Sequence, residues 1–282
     1  MILKKKYVFM NRKDVIGLLN SRSLSPLKKL GQNFLWNSAI TSQIAAAAEI
    51  KENESVIEIG PGLGALSDEL AKLTDDLTLV ELDKGLFSFL SEKYASTSIK
   101  LVHSDFLKYE SHAVYNKAVS NLPYYCASEI LFKIIEDYNP EIIVIMLQKE
   151  MAERILSRAG DDSYGALTAS VSLSYTAENV MSVAADNFYP EPDVKSSVLK
   201  LIRKNTDFTK EERSVFRLAV KSAFWGRRKR ILKSLTDSPH MNMEKNRVMS
   251  ALEKSGIDPN KRAEEISPEE FMNIARALIE KQ

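Results

Sequence analysis

A mostly parallel α/β sheet with helices on both faces, followed by a small all-helical domain, is the architecture this sequence predicts. Three observations predict it. From about residue 55 to 203, short apolar runs alternate with helical patterns, which is the signature of a helix-covered parallel sheet. Glu141 to Leu147 is the longest of these apolar runs and reads as a central buried strand. Beyond Arg203–Asp207 no segment looks like a strand, and apolar residues recur at helical spacing.

Taken in order, Ser55–Gly60 reads as a strand, Gly64–Leu73 as a helix, Leu77–Leu82 as a strand and Lys84–Tyr94 as a helix. Ile99–His103 and Lys117–Asn121 are strands, Ala127–Asp137 is a helix, and Asn179–Ala184 and Ser196–Ile202 are later strands at a sheet edge. In the last part, Val215, Phe216, Ala219, Val220 and Phe224 share one helix face, and Ile231, Leu232 and Leu235 another. Gly256–Pro259 is a turn, and Ser267-Pro-Glu-Glu270 is a helix start with proline at its first position. The expected divisions are a basic extension over 1–27, a ligand-binding α/β domain over 28–204 and a helical domain over 205–282.

Composition narrows the function classes. The chain has 282 residues, is 44% hydrophobic and holds one cysteine, Cys126, so an internal disulfide framework is excluded and a reducing, cytoplasmic setting is expected. No apolar run approaches a membrane span, and the three histidines lack metal-ligand spacing, so neither a membrane nor a metal is expected. Net charge is only +1, yet its distribution is uneven. The first 33 residues carry eight basic side chains against Asp14 alone, and Arg213–Lys233 holds eight with no acid. Two basic blocks on a near-neutral chain fit docking to a polyanion, although a solvated helix face has the same composition.

Glu58-Ile-Gly-Pro-Gly-Leu-Gly64 runs from a strand into a helix. Its glycines let backbone approach a ligand, but their spacing is not the dinucleotide fingerprint, and an acid precedes them. An acidic strand end suits a ligand bearing positive charge, such as a methionyl amine with a sulfonium. The next strand ends Val80-Glu-Leu-Asp83, and a carboxylate at that point can take both hydroxyls of a ribose; Asp105, beside Phe106, suits an adenine amine and ring face. A glycine turn with structural acids, or a NAD-binding domain, is the plainer alternative for each motif alone.

Asn121-Leu-Pro-Tyr124 ends the fourth strand. An adenine amine is a poor nucleophile because its lone pair is delocalised into the ring. Acceptors at the Asn121 amide oxygen and the Leu122 carbonyl favour a pyramidal nitrogen, Pro123 stiffens the turn, and Tyr124 offers a face for an extruded base. The plainer alternative is a proline turn with Tyr124 in the core. Leu30-Gly-Gln-Asn-Phe-Leu35 either closes over a ligand with Phe34 near the target base or is a helix-entry loop. Phe188, in the proline-braced loop Phe188–Ser197, is either the second wall of a stacking pocket or a core aromatic.

Together these motifs resemble one family, the KsgA-type ribosomal RNA small-subunit adenine dimethyltransferases. The likeness is carried by LGQNFL (30–35), EIGPGLGALS (58–67), VELD (80–83), SDF (104–106), NLPYY (121–125), LQKE (147–150), FYPEPDVKSSV (188–198) and AFWGRRKRILKSL (223–235). It spans roughly Leu27 to Leu235 in the family's order. The chain departs from the family pattern at Tyr125–Ser128, Glu191 and Asp193.

The resemblance implies a Rossmann-like class I methyltransferase domain with an RNA-contacting helical domain. It also implies transfer of two methyl groups to each of two adjacent adenosines in small-subunit rRNA. Asn33, Leu35, Gly60, Glu81, Asp105 and Asn121 would contact S-adenosylmethionine. Asn121, Leu122 and Tyr124 would hold the target amine and ring. Arg227, Arg228, Lys229 and Arg230 would meet rRNA of the assembling small subunit. Other readings are a large-subunit enzyme of the macrolide-resistance type, a catalytically silent assembly factor, and a NAD-dependent dehydrogenase. The arginine-rich segment, the intact acids with Asn121–Tyr124, and the glycine spacing respectively argue against them.

Overall fold

The computed structural model describes residues 11–27, 30–226 and 228–280. The chain divides into two compact units, one of residues 1–152 with 178–203, the other of residues 153–177 with 204–282.

In the first unit, α1 (Arg12–Ser21) precedes a short strand β1 (Phe34–Leu35) and α2 (Ser38–Ala47). Then β2 (Val56–Ile59), α3 (Ala65–Leu70), β3 (Leu77–Glu81), α4 (Lys84–Lys93), β4 (Lys100–His103), β5 (Lys117–Asn121) and α5 (Ala127–Lys133) follow in the predicted alternation. The chain continues through β6 (Ile142–Gln148), α6 (Lys149–Leu156), α7 (Ala166–Ser174), β7 (Tyr175–Val183), β8 (Phe188–Tyr189) and β9 (Ser196–Arg203), of which residues 153–177 belong to the second unit.

Seven strands form one sheet in the order β4-β3-β2-β5-β6-β9-β7, while β1 and β8 form a separate antiparallel ribbon. The pairs from β4 through β6 are parallel; β9 runs antiparallel to β6. Every residue of β2 and β3 is buried, as are the first six of β6, which is why these strands read as unbroken apolar runs. Edge strand β4 alternates little and is partly exposed. From β2 the chain winds outward to β3 and β4, then crosses back to β5 on the other side of β2. That reversal opens a crevice at the carboxyl ends of β2 and β5, where ligands bind in open α/β sheets. Lys117 is buried at the opposite end of β5 and is compensated by Glu54 and Glu141 at 3.4 and 3.5 Å.

The second unit adds α8 (Lys210–Trp225), α9 (Ile231–Asp237), α10 (Lys245–Lys254) and α11 (Pro268–Ile279). Capping boxes from Thr209 to Glu212 and from Ser267 to Glu270 start α8 and α11, with Pro268 at the first position of α11. Where the sequence places one boundary at 204/205, this unit also takes in 153–177. The reason is packing: Tyr164, Ala169 and Leu173 share a core with Phe216, Val220, Leu235 and Phe271. Polar ties reinforce it, from the Tyr164 hydroxyl to the Ile266 carbonyl at 2.9 Å and from the Gly160 N–H to the Glu264 carbonyl at 2.8 Å. Tyr164→Phe leaves that buried carbonyl without its donor and is expected to cost about 1–3 kcal/mol, read as a lower urea midpoint.

Candidate functional site

A single crevice gathers the ends of β2, β3 and β5 with the loop after β4 and the segment Leu30–Leu35. Its floor is the turn from β2 into α3. Gly62 and Gly64 have φ of 60° and 78°, backbone that side chains adopt only with strain. A Cβ on Gly62 would stand 3.2 Å from the Phe34 ring, and one on Gly64 would stand 2.5 Å from the Tyr94 hydroxyl. Behind the turn, the Lys93 ammonium donates to the Gly64 carbonyl and the Asp68 carboxylate, and the Tyr94 hydroxyl donates to Asp68 at 2.8 Å with the Gly64 carbonyl 3.2 Å away. The sequence gives no sign of this latch, since its partners lie 25 to 30 residues apart.

Three acids line the crevice. Glu58 is buried and accepts from the Ser67 hydroxyl at 2.6 Å; burial pushes its pKa up to about 8. Glu81 is 4% exposed, accepts from the Gly62 N–H at 3.1 Å and the Asp83 N–H at 2.8 Å, and is raised by burial to about 7. Each Glu81 oxygen takes one of these bonds and keeps acceptor capacity for a further donor such as a ribose hydroxyl. Asp105 Oδ1 accepts from the Leu107 N–H at 3.0 Å, which fixes the carboxylate at the crevice edge beside buried Phe106.

Among the described residues no Lys, Arg or His lines this space. Carboxylates gathered without a counter-cation, two of them buried, suit a ligand that brings its own positive charge and hydroxyl donors, and are wrong for a pyrophosphate. The residues therefore fit S-adenosylmethionine. Among the described residues no group of three or more His, Cys, Asp or Glu could hold a metal ion.

Asn121 stands at the end of β5, and its Nδ2 donates to the Asn33 carbonyl at 3.4 Å, leaving Oδ1 as an acceptor. The Leu122 N–H bonds the Met146 carbonyl at 3.2 Å, whereas the Leu122 carbonyl takes no hydrogen bond among the described residues. Pro123 holds φ −66° and ψ 127° ahead of the helical turn Tyr124–Cys126. The Tyr124 ring lines the crevice while its hydroxyl is tied to Ser196 Oγ at 2.7 Å, and burial raises its pKa. Ser196, the first residue of β9, orients Tyr124 from 72 positions away, and no local sequence signal identifies it.

Asn33, Leu35, Gly60, Glu81, Asp105, Asn121, Leu122 and Tyr124 all line this crevice. Phe34 lines the crevice as well, where it lies against Gly62 and packs with Leu63 and Leu86 as a wall of the glycine turn. One aromatic expectation changes. Phe188 does not form a second stacking wall: it is fully buried in the core, paired through β8 to Leu35, and does not line the crevice. The loop's apolar anchor is drawn inward because strand pairing with β1 turns that side chain toward the sheet.

In the second unit Arg228 and Arg230 are exposed and Lys229 is half-exposed; Arg227 lies outside the described residues. Lys229 sits 4.7 Å over the half-exposed Trp225 ring and pairs with Asp237 at 3.1 Å, while Arg230 bonds Asn260. Arg213, at the start of the same basic stretch, turns inward to Ser174, Thr206 and the Phe208 carbonyl, so it serves the fold.

Comparison with known proteins gives a consistent picture. The family model described as ribosomal RNA adenine dimethylase matches residues 25–280. Ribosomal RNA small subunit methyltransferase A of Borrelia garinii subsp. bavariensis is 37% identical over 266 residues, covering 93% of this chain and 92% of that one. The protein of the same name from Moorella thermoacetica is 37% identical over 279 residues, covering 93% and 96%. Among solved structures, a dimethyladenosine transferase from Plasmodium falciparum aligns with TM-score 0.68 and 25% identity over 84% of this chain and 94% of that one. The 23S rRNA methyltransferase ErmE aligns with TM-score 0.65 and 27% identity over 88% and 100%.

The buried acids set a pH dependence. Glu58 and Glu81 release their protons near 4.5 when unfolded, and near 8 and 7 when folded. Between these values the folded chain holds more protons, so stability falls as pH rises through the window. The urea midpoint of the ligand-free protein is expected to drop from about pH 5 to about pH 8, and Glu58→Gln is expected to flatten the upper part of that slope.

Proposed function

The chain belongs to the ribosomal RNA adenine dimethylase family, and on that premise we propose that it dimethylates the exocyclic amines of two adjacent adenosines in a hairpin near the 3′ end of small-subunit rRNA. The observation that carries this reading is the orientation of Asn121 and Tyr124. Each is tied at its far side, to the Asn33 carbonyl and to Ser196, and both line the space bounded by Glu81 and Asp105.

S-adenosylmethionine supplies a methyl group made electrophilic by its sulfonium. Glu81 holds the ribose hydroxyls, Asp105 the adenine amine of the cofactor, and Asn33, Leu35 and Gly60 the surrounding surface. The target base enters extruded from its helix and stacks on Tyr124, for about 1–3 kcal/mol. Asn121 Oδ1 and the Leu122 carbonyl accept the two amine hydrogens, which aims the nitrogen lone pair along the transfer axis. Alignment of this kind supplies up to roughly 7–11 kcal/mol of barrier lowering. No basic side chain is required, because the alkylated nitrogen is acidic and releases its proton to water. Arg228, Lys229 and Arg230, with Arg227, engage phosphates while Trp225 offers a stacking face.

The small subunit is favoured as target because relatives with that name reach 37% identity over most of both chains. The large-subunit enzyme ErmE is similar at 27%. Mass spectrometry of rRNA digests after incubation of unmodified small subunits with labelled methyl donor tests the reading. Dimethyladenosine in small-subunit rRNA is expected, and label confined to large-subunit rRNA would reassign the target.

Asn121→Ala is expected to lower methyl transfer by at least about a hundredfold while rRNA binding stays within about twofold, since the missing acceptor acts on the reacting amine. Filter binding alongside initial rates checks both. Replacing Arg228, Lys229 and Arg230 by Gln is expected to weaken rRNA binding and reduce the slope of log affinity against log salt by about one unit for each phosphate no longer neutralised. An unchanged slope would remove this segment from the RNA surface.

A further inference from the structure

The extension before residue 28 is basic, and by charge alone it reads as an arm for RNA. Its described residues, 11–27, do something else. In α1, Val15 and Leu19 are buried while Arg12 and Lys13 face solvent. Val15 and Leu19 cluster with Phe34, Leu63 and Leu86, with Leu18 and Leu24 packed against the same group. Phe34, Leu63 and Leu86 are themselves walls of the cofactor crevice. The extension is therefore the layer directly behind one side of that crevice.

Three further interactions fix it there. A Leu24 methyl lies 2.6 Å from where a Cβ on Gly85 would stand, so Leu24 occupies the space that this glycine leaves open at the start of α4. The Gln32 side chain accepts from the Leu27 N–H at 2.8 Å, tying the extension to the crevice segment Leu30–Leu35. The Arg22 guanidinium pairs with Glu92 and lies 5.7 Å over the Phe89 ring, both on α4. The Leu24 contact lies next to the end of β3, where the Asp83 N–H steadies the Glu81 carboxylate and the Asp83 side chain caps α4.

We propose that residues 11–27 are a positioning element of the cofactor site, in which Val15, Leu19 and Leu24 hold Phe34, Leu63 and Leu86 in place, so that the extension sets affinity for S-adenosylmethionine. Without this backing, Phe34 is free to leave Gly62, and ordering the wall becomes a cost paid on binding. The inference rests on the cofactor site alone and stands whichever rRNA is modified.

The test uses the full chain with two variants. Leu19→Asp breaks the buried face of α1. Leu24→Ala removes the side chain that fills the space over Gly85 and leaves Asp83 untouched. Calorimetric titration with S-adenosylmethionine is expected to show Kd raised about tenfold or more in both, with binding to unmodified ribosomal RNA within about twofold of the parent. Amide exchange over residues 11–27 is expected to quicken in Leu24→Ala. If Leu19→Asp does not fold, Leu24→Ala alone decides. Quicker exchange with unchanged S-adenosylmethionine affinity would overturn the proposal, as would weakened RNA binding with unchanged cofactor affinity. Unchanged exchange would overturn it too, because Leu24 would then not hold the extension against α4.

Discussion

Carboxylates buried at strand ends, with no ion-pair partner among the described residues, are the constraint on which the rest of this site depends. Glu58 and Glu81 are held almost wholly out of water, where an ionised carboxylate is costly, and their raised proton affinities express that cost. The chain offsets it only partly, through the Ser67 hydroxyl, the field of the Lys93 ammonium at Glu58, and the N–H groups of Gly62 and Asp83 at Glu81. A cationic nucleoside supplies what is missing, positive charge and hydroxyl donors together. Binding it restores the partners these groups gave up on folding, so the acids that weigh against the empty fold favour the loaded one.

That same crevice has to aim a second, uncharged ligand. The solution is to orient each aiming group by a tie at its far side. Asn121 gives one amide hydrogen to the Asn33 carbonyl, which leaves the oxygen as an acceptor; the Tyr124 hydroxyl is hydrogen-bonded to Ser196, which leaves the ring face. Both partners come from parts of the chain remote in sequence, one before β2 and one at the start of β9. The Asn-Leu-Pro-Tyr turn is thus stiff through tertiary ties as well as through Pro123, and preorganisation of this kind is what lets hydrogen-bond acceptors lower a barrier rather than merely bind.

The legible part of the protein was the part whose signals are local. The strand–helix alternation from β2 to β6 follows from unbroken apolar runs, and the acids and Asn121 could be placed because strand ends are visible in sequence. The helices α6 and α7 were not legible. Ala166–Ser174 is rich in Ala, Ser and Thr, is buried on most sides and carries no amphipathic stripe, so its allegiance to the second unit's core shows in the packing of Ala169 and Leu173, beside Tyr164. Phe188 had two open readings, and pairing of β8 with β1 decided for the core. Ser196, Lys93 and Tyr94 escaped notice for one reason: their partners are far away in sequence, and a lone Ser, Lys or Tyr carries no spacing to read.

Charge, in contrast, was legible in amount and not in use. Arg213 and Arg228 belong to one acid-free stretch, yet Arg213 satisfies a hydroxyl and a carbonyl within its own unit while Arg228 is left exposed. Lys229 stands between these uses, resting on Trp225 and pairing with Asp237. A phosphate competing for Lys229 displaces only a surface carboxylate, worth about 0–1 kcal/mol, whereas one competing for Arg213 would strip donors from half-buried oxygens. Under the proposed reading, phosphate binding therefore falls to Arg228 and its neighbours rather than to Arg213, and the count of basic residues overstates the footprint. The aromatic beside them, Trp225, would add an interaction that salt does not screen, letting an otherwise electrostatic surface prefer unpaired bases over a uniform duplex.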